Sequence, residues 1–354
     1  MNCPARRYHC NVCELCESLA TAENSKALLD ALTKGCLKLF DARASVAGML
    51  DRTQQRLHSV ASEGLSKEFL ATGAGLYGTA LDAVVLKGEV ADAPDVQKDE
   101  KEPYRQEAAR EGLAAALAAP LMVKGRCVGI LRVYRAGPGA FTEDEKALAR
   151  TLATQSGAAL ERFRLHQQAE ALGRVSQAIG TSLDQATVLQ TIAQQAAEIL
   201  GFRAASIRLL SEDGKSLEVR AAYGLSDAYM AKGPVEVAKS PFDQEVLGGK
   251  EVVVTEAEVE RKLQYPEEAR REGIRAILGL PLYIKGRTVG VLRVYSSVPY
   301  RFTEDDIEFL KSLASQGAIA IENARLFEHL LRDYNDLKRE VWKWYDWGER
   351  PPRM

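Results

Sequence analysis

The chain has 354 residues, 46% hydrophobic and 27% charged, with a formal net charge of −2. This is the composition of an ordinary globular protein, and it lacks the basic excess with which nucleic-acid-binding surfaces neutralise phosphates. The longest apolar stretch, around Leu113 to Val123, falls short of the roughly 20 residues a membrane-crossing helix needs, and MNCPARRYHC at the start has no secretory apolar core; the expectation is a cytoplasmic protein with reduced thiols and neither nucleic acid nor membrane as partner.

Four of the six cysteines fall in the first sixteen residues, as Cys3, Cys10, Cys13 and Cys16, the last three spaced C-x-x-C-x-x-C. Thiolates three residues apart can converge on one centre, and the triple spacing resembles the ligand run of bacterial ferredoxins. Three readings stand: an iron–sulfur cluster with Cys3 as fourth ligand, zinc with His9 as an optional ligand, or an unligated tail. A redox centre here would bias the adjoining helix near Glu14 to Ala22.

Asn24 is placed to cap a helix from Ser25 to about Phe40, with Leu28, Leu32, Leu39 and Phe40 as its apolar stripe. Two alternating segments follow, Ala44 to Leu50 and Arg56 to Ser62, joined by the turn-rich Asp51-Arg52-Thr53; they read as an antiparallel hairpin. Next come a short helix over Thr79 to Leu86, an edge strand, and a polar helix ending at Arg110. Leu113 to Val123 and Arg126 to Tyr134 are two stronger strands, and the Lys124-Gly125 between them suits a tight turn. Thr142 stands before an acidic first turn and is placed to cap a long helix.

The same order then repeats. PLMVKGRCVGILRVY at Pro120–Tyr134 returns as PLYIKGRTVGVLRVY at Pro281–Tyr295, with eleven of fifteen positions identical at an offset of 161, and that offset also relates FTED at Phe141 and Phe302. Upstream the offset is 160, relating Gly64-Leu65-Ser66 to Gly224-Leu225-Ser226 and Arg43 to Arg203. A period this long marks duplicated domains, not stacked solenoid repeats. The second copy reads as a helix from Asp184 to about Leu200, a hairpin of Ala204 to Leu210 with Ser216 to Ala222, a helix over Pro241 to Leu247, a polar helix ending at Arg271, a hairpin turning at Lys285-Gly286, and a helix capped by Thr303. Helices flanking an antiparallel sheet make each unit α+β.

The second unit's EGIRAILGLPLYIKGRTVGVLRVY and RFTEDDIEFLKSLASQGAIAIENARLFE resemble the carboxy-terminal half of bacterial GAF domains, and the first unit's EGLAAALAAPLMVKGRCVGILRVY matches more weakly. The parts of the chain are then a Cys-rich segment at 1–23, GAF domains at 24–162 and 184–328, a linker helix at 163–183 and a helical tail at 329–354. The resemblance implies a non-catalytic sensor with a small-molecule pocket between the sheet and the divergent middle segment. On that basis the candidate ligand contacts are Phe242, Glu245, Thr255, Tyr265 and Arg271, with Ala276 and Gly279 leaving room on the strand behind. In the first unit they are Tyr77, Thr79, Asp82, Asp92, Tyr104 and Arg110, backed by Ala114-Ala115-Ala116. Bilin attachment lacks a suitable cysteine in the second unit, and the Asn-Lys-Phe-Asp-Glu signature of cyclic-nucleotide-binding members has no clear match. One branch of the family reduces free methionine sulfoxide with thiols; Cys36 and Cys127 are the only cysteines inside the units, each in a predicted core position.

Few helix breakers separate Thr142 from Gly180, and Leu165, Leu172 and Ile179 recur every seven residues with Val175 between. Beyond the second unit, Phe327, Leu330, Tyr334, Leu337, Val341 and Trp344 alternate by three and four, the a/d seam of a parallel coiled coil. A homodimer is expected, with Trp342, Trp344 and Trp347 near a partner surface and a separate signalling output protein receiving the signal.

Overall fold

The computed structural model describes residues 4–50, 57–72, 79, 81–100, 102–182 and 184–348, the side chains of 4–10, 257, 260 and 342–348 excepted. Two compact units divide at His166 and Gln167, inside the linker helix expected from the sequence. The first holds α1 (Pro4–Thr21), α2 (Ser25–Leu39), β1 (Ala44–Leu50), β2 (Leu57–Glu63), α3 (Lys67–Ala71), α4 (Asp82–Val85), β3 (Ala91–Ala93), α5 (Arg105–Glu111), β4 (Ala115–Val123) and β5 (Arg126–Arg135), and α6 (Glu143–Thr181) begins in it. The second continues through α7 (Gln185–Glu198), β6 (Ala204–Leu210), β7 (Ser216–Tyr223), α8 (Asp227–Met230), β8 (Val235–Glu236), α9 (Pro241–Leu247), β9 (Val252–Thr255), α10 (Val259–Lys262), α11 (Pro266–Arg271), β10 (Ala276–Ile284), β11 (Arg287–Ser296) and α12 (Glu304–Gly348). The sheets are antiparallel, in the orders β2-β1-β5-β4-β3 and β8-β7-β6-β11-β10-β9. Both units are thus α+β, and the second domain's exit helix and the tail are one helix.

The caps form as the sequence dictates. Asn24 accepts from the Ala27 N–H at 2.9 Å, and Asp184 from those of Ala186 and Thr187 at 3.2 Å. Thr142 with Glu145, and Thr303 with Asp306, exchange reciprocal side chain to backbone bonds that satisfy two orphan donors at the start of α6 and of α12. Lys124-Gly125 and Lys285-Gly286 all have positive φ, which is what a two-residue hairpin turn matching the strand twist requires.

One face of each sheet packs on long helices. In the first unit Leu28, Leu32 and Leu39 of α2 meet Leu117, Leu121 and Leu131 of the sheet and Leu152 of α6, and α1 adds Leu15 and Leu19. Gly35 lets α1 lie this close, because a Cβ there would stand 2.5 Å from Leu15 Cδ1. In the second unit Leu189 and Ile192 of α7 meet Leu278, Leu280 and Leu292, joined by Leu310 and Leu313 of α12 and by Ala171 and Val175 from the end of α6. Each such leucine contributes about 1.5–3 kcal/mol on burial. The seven-residue stripe of the linker is therefore largely spent on the second unit's own core: Val175 is buried, Leu172 and Ile179 pack against that core, and Leu165 is exposed.

The repeated Gly-Leu-Ser and Glu-Gly pairs have a structural role. Gly64 and Gly224 have φ of +76° and +72°, and a Cβ on either would lie within 2.4 Å of the Arg43 or Arg203 carbonyl oxygen. Ser66 donates to Glu111, and Ser226 donates to Glu272, which also accepts from Arg203 at 3.0 Å. These contacts pin the chain leaving β2 or β7 to the segment before β4 or β10. Among the described residues no helix is long and apolar enough to cross a membrane.

Candidate functional site

The second face of each sheet is covered by the short helices of the divergent middle segment, and a buried polar cluster lies beneath them. Strand pairing puts β11 beside β6, so alternation directs Arg293 and Tyr295 from one strand, and Ser206 and Arg208 from the other, to this face. Arg293 donates from Nη2 to both oxygens of Asp243 at 2.5 Å. Asp243 lies in the first turn of α9 and also accepts from Ser240 Oγ at 2.6 Å. Ser206 Oγ and the Tyr295 hydroxyl are 2.9 Å apart. Arg208 is 0% exposed, and none of its three guanidinium nitrogens makes a hydrogen bond of good geometry among the described residues, although the Tyr295 hydroxyl is near enough to interact with it. The Lys232 ammonium lies 2.9 Å from the centroid of the Tyr229 ring.

The electrostatics follow from burial. Burial pulls the Arg208 pKa down, and the neighbouring Arg293 charge pulls it further. Burial, then the charges of Arg208 and Arg293, push Lys232 down to about 6. Arg293 feels the same burial, but Asp243 and Tyr295 outweigh it and its pKa rises. Tyr295 is raised by burial, but the Arg293 and Arg208 charges win and lower it.

The first unit carries the same ion pair with different surroundings. Arg132 donates to Asp82 and, at 2.9 Å, to Thr79 Oγ1, while the Thr79 N–H bonds Asp82 at 2.9 Å. Beside it is a cavity of about 20 Å³ lined by Phe69, Thr79, Glu102, Tyr104, Arg132 and Tyr134 among others, room for about one water. Burial raises the Glu102 pKa.

The residues singled out from sequence divide clearly. Thr79 and Tyr104 line the first cavity and Asp82 anchors its arginine. Phe242 is buried under the Arg293 guanidinium, 5.3 Å from ring centroid to Cζ, and Tyr265 is half-buried with its hydroxyl donating to the Pro234 carbonyl at 3.1 Å. Others stand apart from the clusters. Arg110 and Arg271 are exposed helix ends. Exposed Thr255 forms a capping box with Glu258, half-buried Glu245 pairs with Lys262 at 3.3 Å, and Asp92 is held by the Phe141 N–H and Lys146. The space expected behind Gly279 is filled, since a Cβ there would meet Phe242 Cζ at 2.4 Å; buried Ala276 alternates to the opposite, helix-packed face with Leu278. Tyr77 lies outside the described residues. Arg132, Glu102, Tyr134, Arg208, Tyr229, Lys232, Arg293 and Tyr295 were not singled out. The signal for the arginines was an obligate cation inside an apolar strand pattern, AASIRLL and GVLRVY.

Cys3 and the Cys10 side chain lie outside the described residues. Cys13 is exposed, and Cys16 is partly buried with Sγ 3.7 Å from Gln155 Oε1. Thiols at Cys13 and Cys16 are neighbours on one helical face. A regular helix through 10–16 sets the first and last of the three positions about 9 Å apart along the axis. Among the described residues no group of three acidic, Cys or His side chains is arranged to hold a metal ion.

Solved structures similar to this chain include the GAF domain of an Acinetobacter phosphoenolpyruvate-protein phosphotransferase, at 24% identity and TM-score 0.40, covering 45% of this chain and 95% of that one. A bacteriophytochrome from the photosynthetic bacterium R. palustris aligns over 82% of this chain and 62% of its own length, at 11% identity and TM-score 0.50. The free methionine-R-sulfoxide reductase of Neisseria meningitidis, solved with its substrate, is similar at 20% identity and TM-score 0.39 over 45% of this chain and 90% of that one. The GAF domain family model matches residues 22–161 and again 182–322. With two successive matches that together span most of its length, and with the repeated antiparallel sheet and covered polar face just described, the chain belongs to the GAF-domain family and carries two such domains in tandem.

Proposed function

We propose that this chain is a non-catalytic regulatory protein that binds a small molecule beneath the short-helix cover of a GAF domain and passes the change along its helices to a separate output protein. The observation that carries this reading is the buried, charge-bearing face in each unit, closed over by the segment in which the two copies diverge most. A ligand preferring one packing of that cover shifts its population by no more than its differential affinity. The thiols inside the two domains speak against the sulfoxide-reductase alternative: burial pushes Cys36 up to about 12, and Cys127 donates to the Gly129 carbonyl with its pKa raised by burial. Neither is the thiolate that attack on a sulfoxide needs.

The route out is α12. Past the family match it exposes Phe327, Leu330, Tyr334, Leu337 and Val341, whose three-and-four spacing makes one stripe suited to a second copy of the chain. Native mass spectrometry of freshly purified full-length chain tests both halves: a dimer retaining a small molecule is expected, with Leu330→Asp/Leu337→Asp giving a monomer. A wild-type chain that is monomeric and ligand-free would refute the reading.

A further inference from the structure

The two units share an arginine–aspartate pair, but the residues around it differ systematically. At the offset that relates Arg43 to Arg203, Gly48 corresponds to Arg208, Phe69 to Tyr229 and Thr72 to Lys232. Sheet register confirms the first equivalence, because Gly48 pairs with Ile130 and Arg208 with Val291, which are themselves 161 apart. On the opposite side Glu102 of the first unit corresponds to Leu263. The first unit therefore sets one arginine against two carboxyl groups, Asp82 and Glu102. The second sets Arg208 and Arg293 against the carboxylate of Asp243, while Lys232 at the edge of the cluster feels Glu268 and Glu272.

A fully buried guanidinium with no carboxylate beside it and no well-formed hydrogen bond destabilises the fold, which makes Arg208 a poor structural choice where a glycine serves in the other copy. Its nitrogens form a planar fork matched to two oxygens of a planar anion. The Tyr295 and Tyr229 hydroxyls are further donors on the same face, and Lys232 stands on the solvent side. Its ammonium can leave the Tyr229 ring by rotation about the side chain's own bonds. We infer that the second GAF domain is a receptor for a small planar oxyanion, a carboxylate-bearing metabolite or an inorganic anion of the same shape, held by Arg208 with Lys232 and Tyr295, and that the first domain does not share this specificity. This rests on the small-molecule reading above and specifies its ligand class. It also explains why Arg208 is kept: the anion supplies the missing partner.

The test uses the full chain in scanning fluorimetry and isothermal titration calorimetry, with sodium formate, succinate and nitrate as probes, and sodium chloride and succinamide as ionic-strength and neutral controls. A saturable rise in Tm of several degrees at a hundredfold excess over Kd is expected with an oxyanion and not with the controls. Response to carboxylates places the ligand among metabolites; response to nitrate alone places it among inorganic anions and keeps the site. Arg208→Met should weaken binding at least tenfold and raise the ligand-free Tm; Lys232→Met, at a half-buried position where folding is secure, should also weaken it. The inference is overturned if no oxyanion binds saturably, or if binding survives both substitutions undiminished. A neutral molecule retained in native mass spectra without any oxyanion response would sink this assignment and leave the regulatory reading standing.

Discussion

Replacing Asp243 by asparagine removes the carboxylate that pairs with Arg293 in the second unit's buried cluster while leaving its shape. Arg293 then keeps its charge with 3% of its side chain exposed and Arg208 as a like-charged neighbour. Breaking a buried pair from one side costs about 3–5 kcal/mol, and the second arginine puts this case at the upper end. The equivalent Asp82→Asn leaves Glu102 acting on Arg132, so its loss should be nearer the roughly 1.5–3 kcal/mol of a hydrogen bond to a charged group. For units of this size each kcal/mol moves Tm by about 2–4 °C, so calorimetry of the full chain should show the second unit's transition falling by about 10–15 °C in Asp243→Asn. Adding Arg293→Met should restore most of that, because both charges are then gone. A loss below about 1 kcal/mol, or equal losses in the two units, would refute the claim that the second cluster is short of negative charge.

Three further outcomes follow from the same geometry. Lys232 faces Arg208, Arg293, Glu268, Glu272 and the rings of Tyr229 and Tyr265; with its pKa at about 6 folded against 10.5 ordinarily, the unfolded chain holds the extra proton between those values. Ligand-free stability should therefore rise with pH across that window in urea titrations, and a slope unchanged in Lys232→Met would contradict it. Gly279→Ala should cost about 1–3 kcal/mol by overpacking against Phe242 and Val246, with recovery in Gly279→Ala/Phe242→Leu; wild-type stability in the single variant would mean the contact is not tight. Exposed Cys13 should be alkylated by iodoacetamide in the native protein, whereas Cys36, buried and raised to about 12, should react only in denaturant; native labelling of Cys36, mapped by peptide mass spectrometry, would contradict its burial.

Local chemistry made the elements legible: Asn24 and Asp184 as caps, Lys-Gly as a turn, and eleven identities in fifteen to set the copies in register. The site was less legible because its geometry comes from long-range pairing. Arg208 and Arg293 are 85 positions apart in sequence and meet only because β6 lies against β11. Phe242 and Glu245 drew attention as a wall and a handle, yet the buried carboxylate of this short helix is Asp243, between them; which polar residue of such a helix turns inward depends on where its partner cation stands. Thr255 could have been read differently, since Thr-x-x-Glu is a capping signature in its own right. Gly279 is small because Phe242 needs the space, and a glycine in a strand marks close approach as readily as an opening.

The cysteine-bearing first helix changes how the duplication should be counted. Val12, Leu15 and Leu19 stand 160 positions before Leu172, Val175 and Ile179, and both sets pack on the helical core of their own unit. The repeating module is thus one that opens with a leading helix, and in the second copy that leader is the last stretch of the helix trailing out of the first. A fragment cut at 182, where the family match resumes, would lose Ala171 and Val175 and leave part of α7 and α12 without its packing partner. A design in which one module's trailing helix is the next one's leader needs no separate connector, so chains of this kind can gain or lose whole sensing units by simple duplication or deletion while every core stays complete.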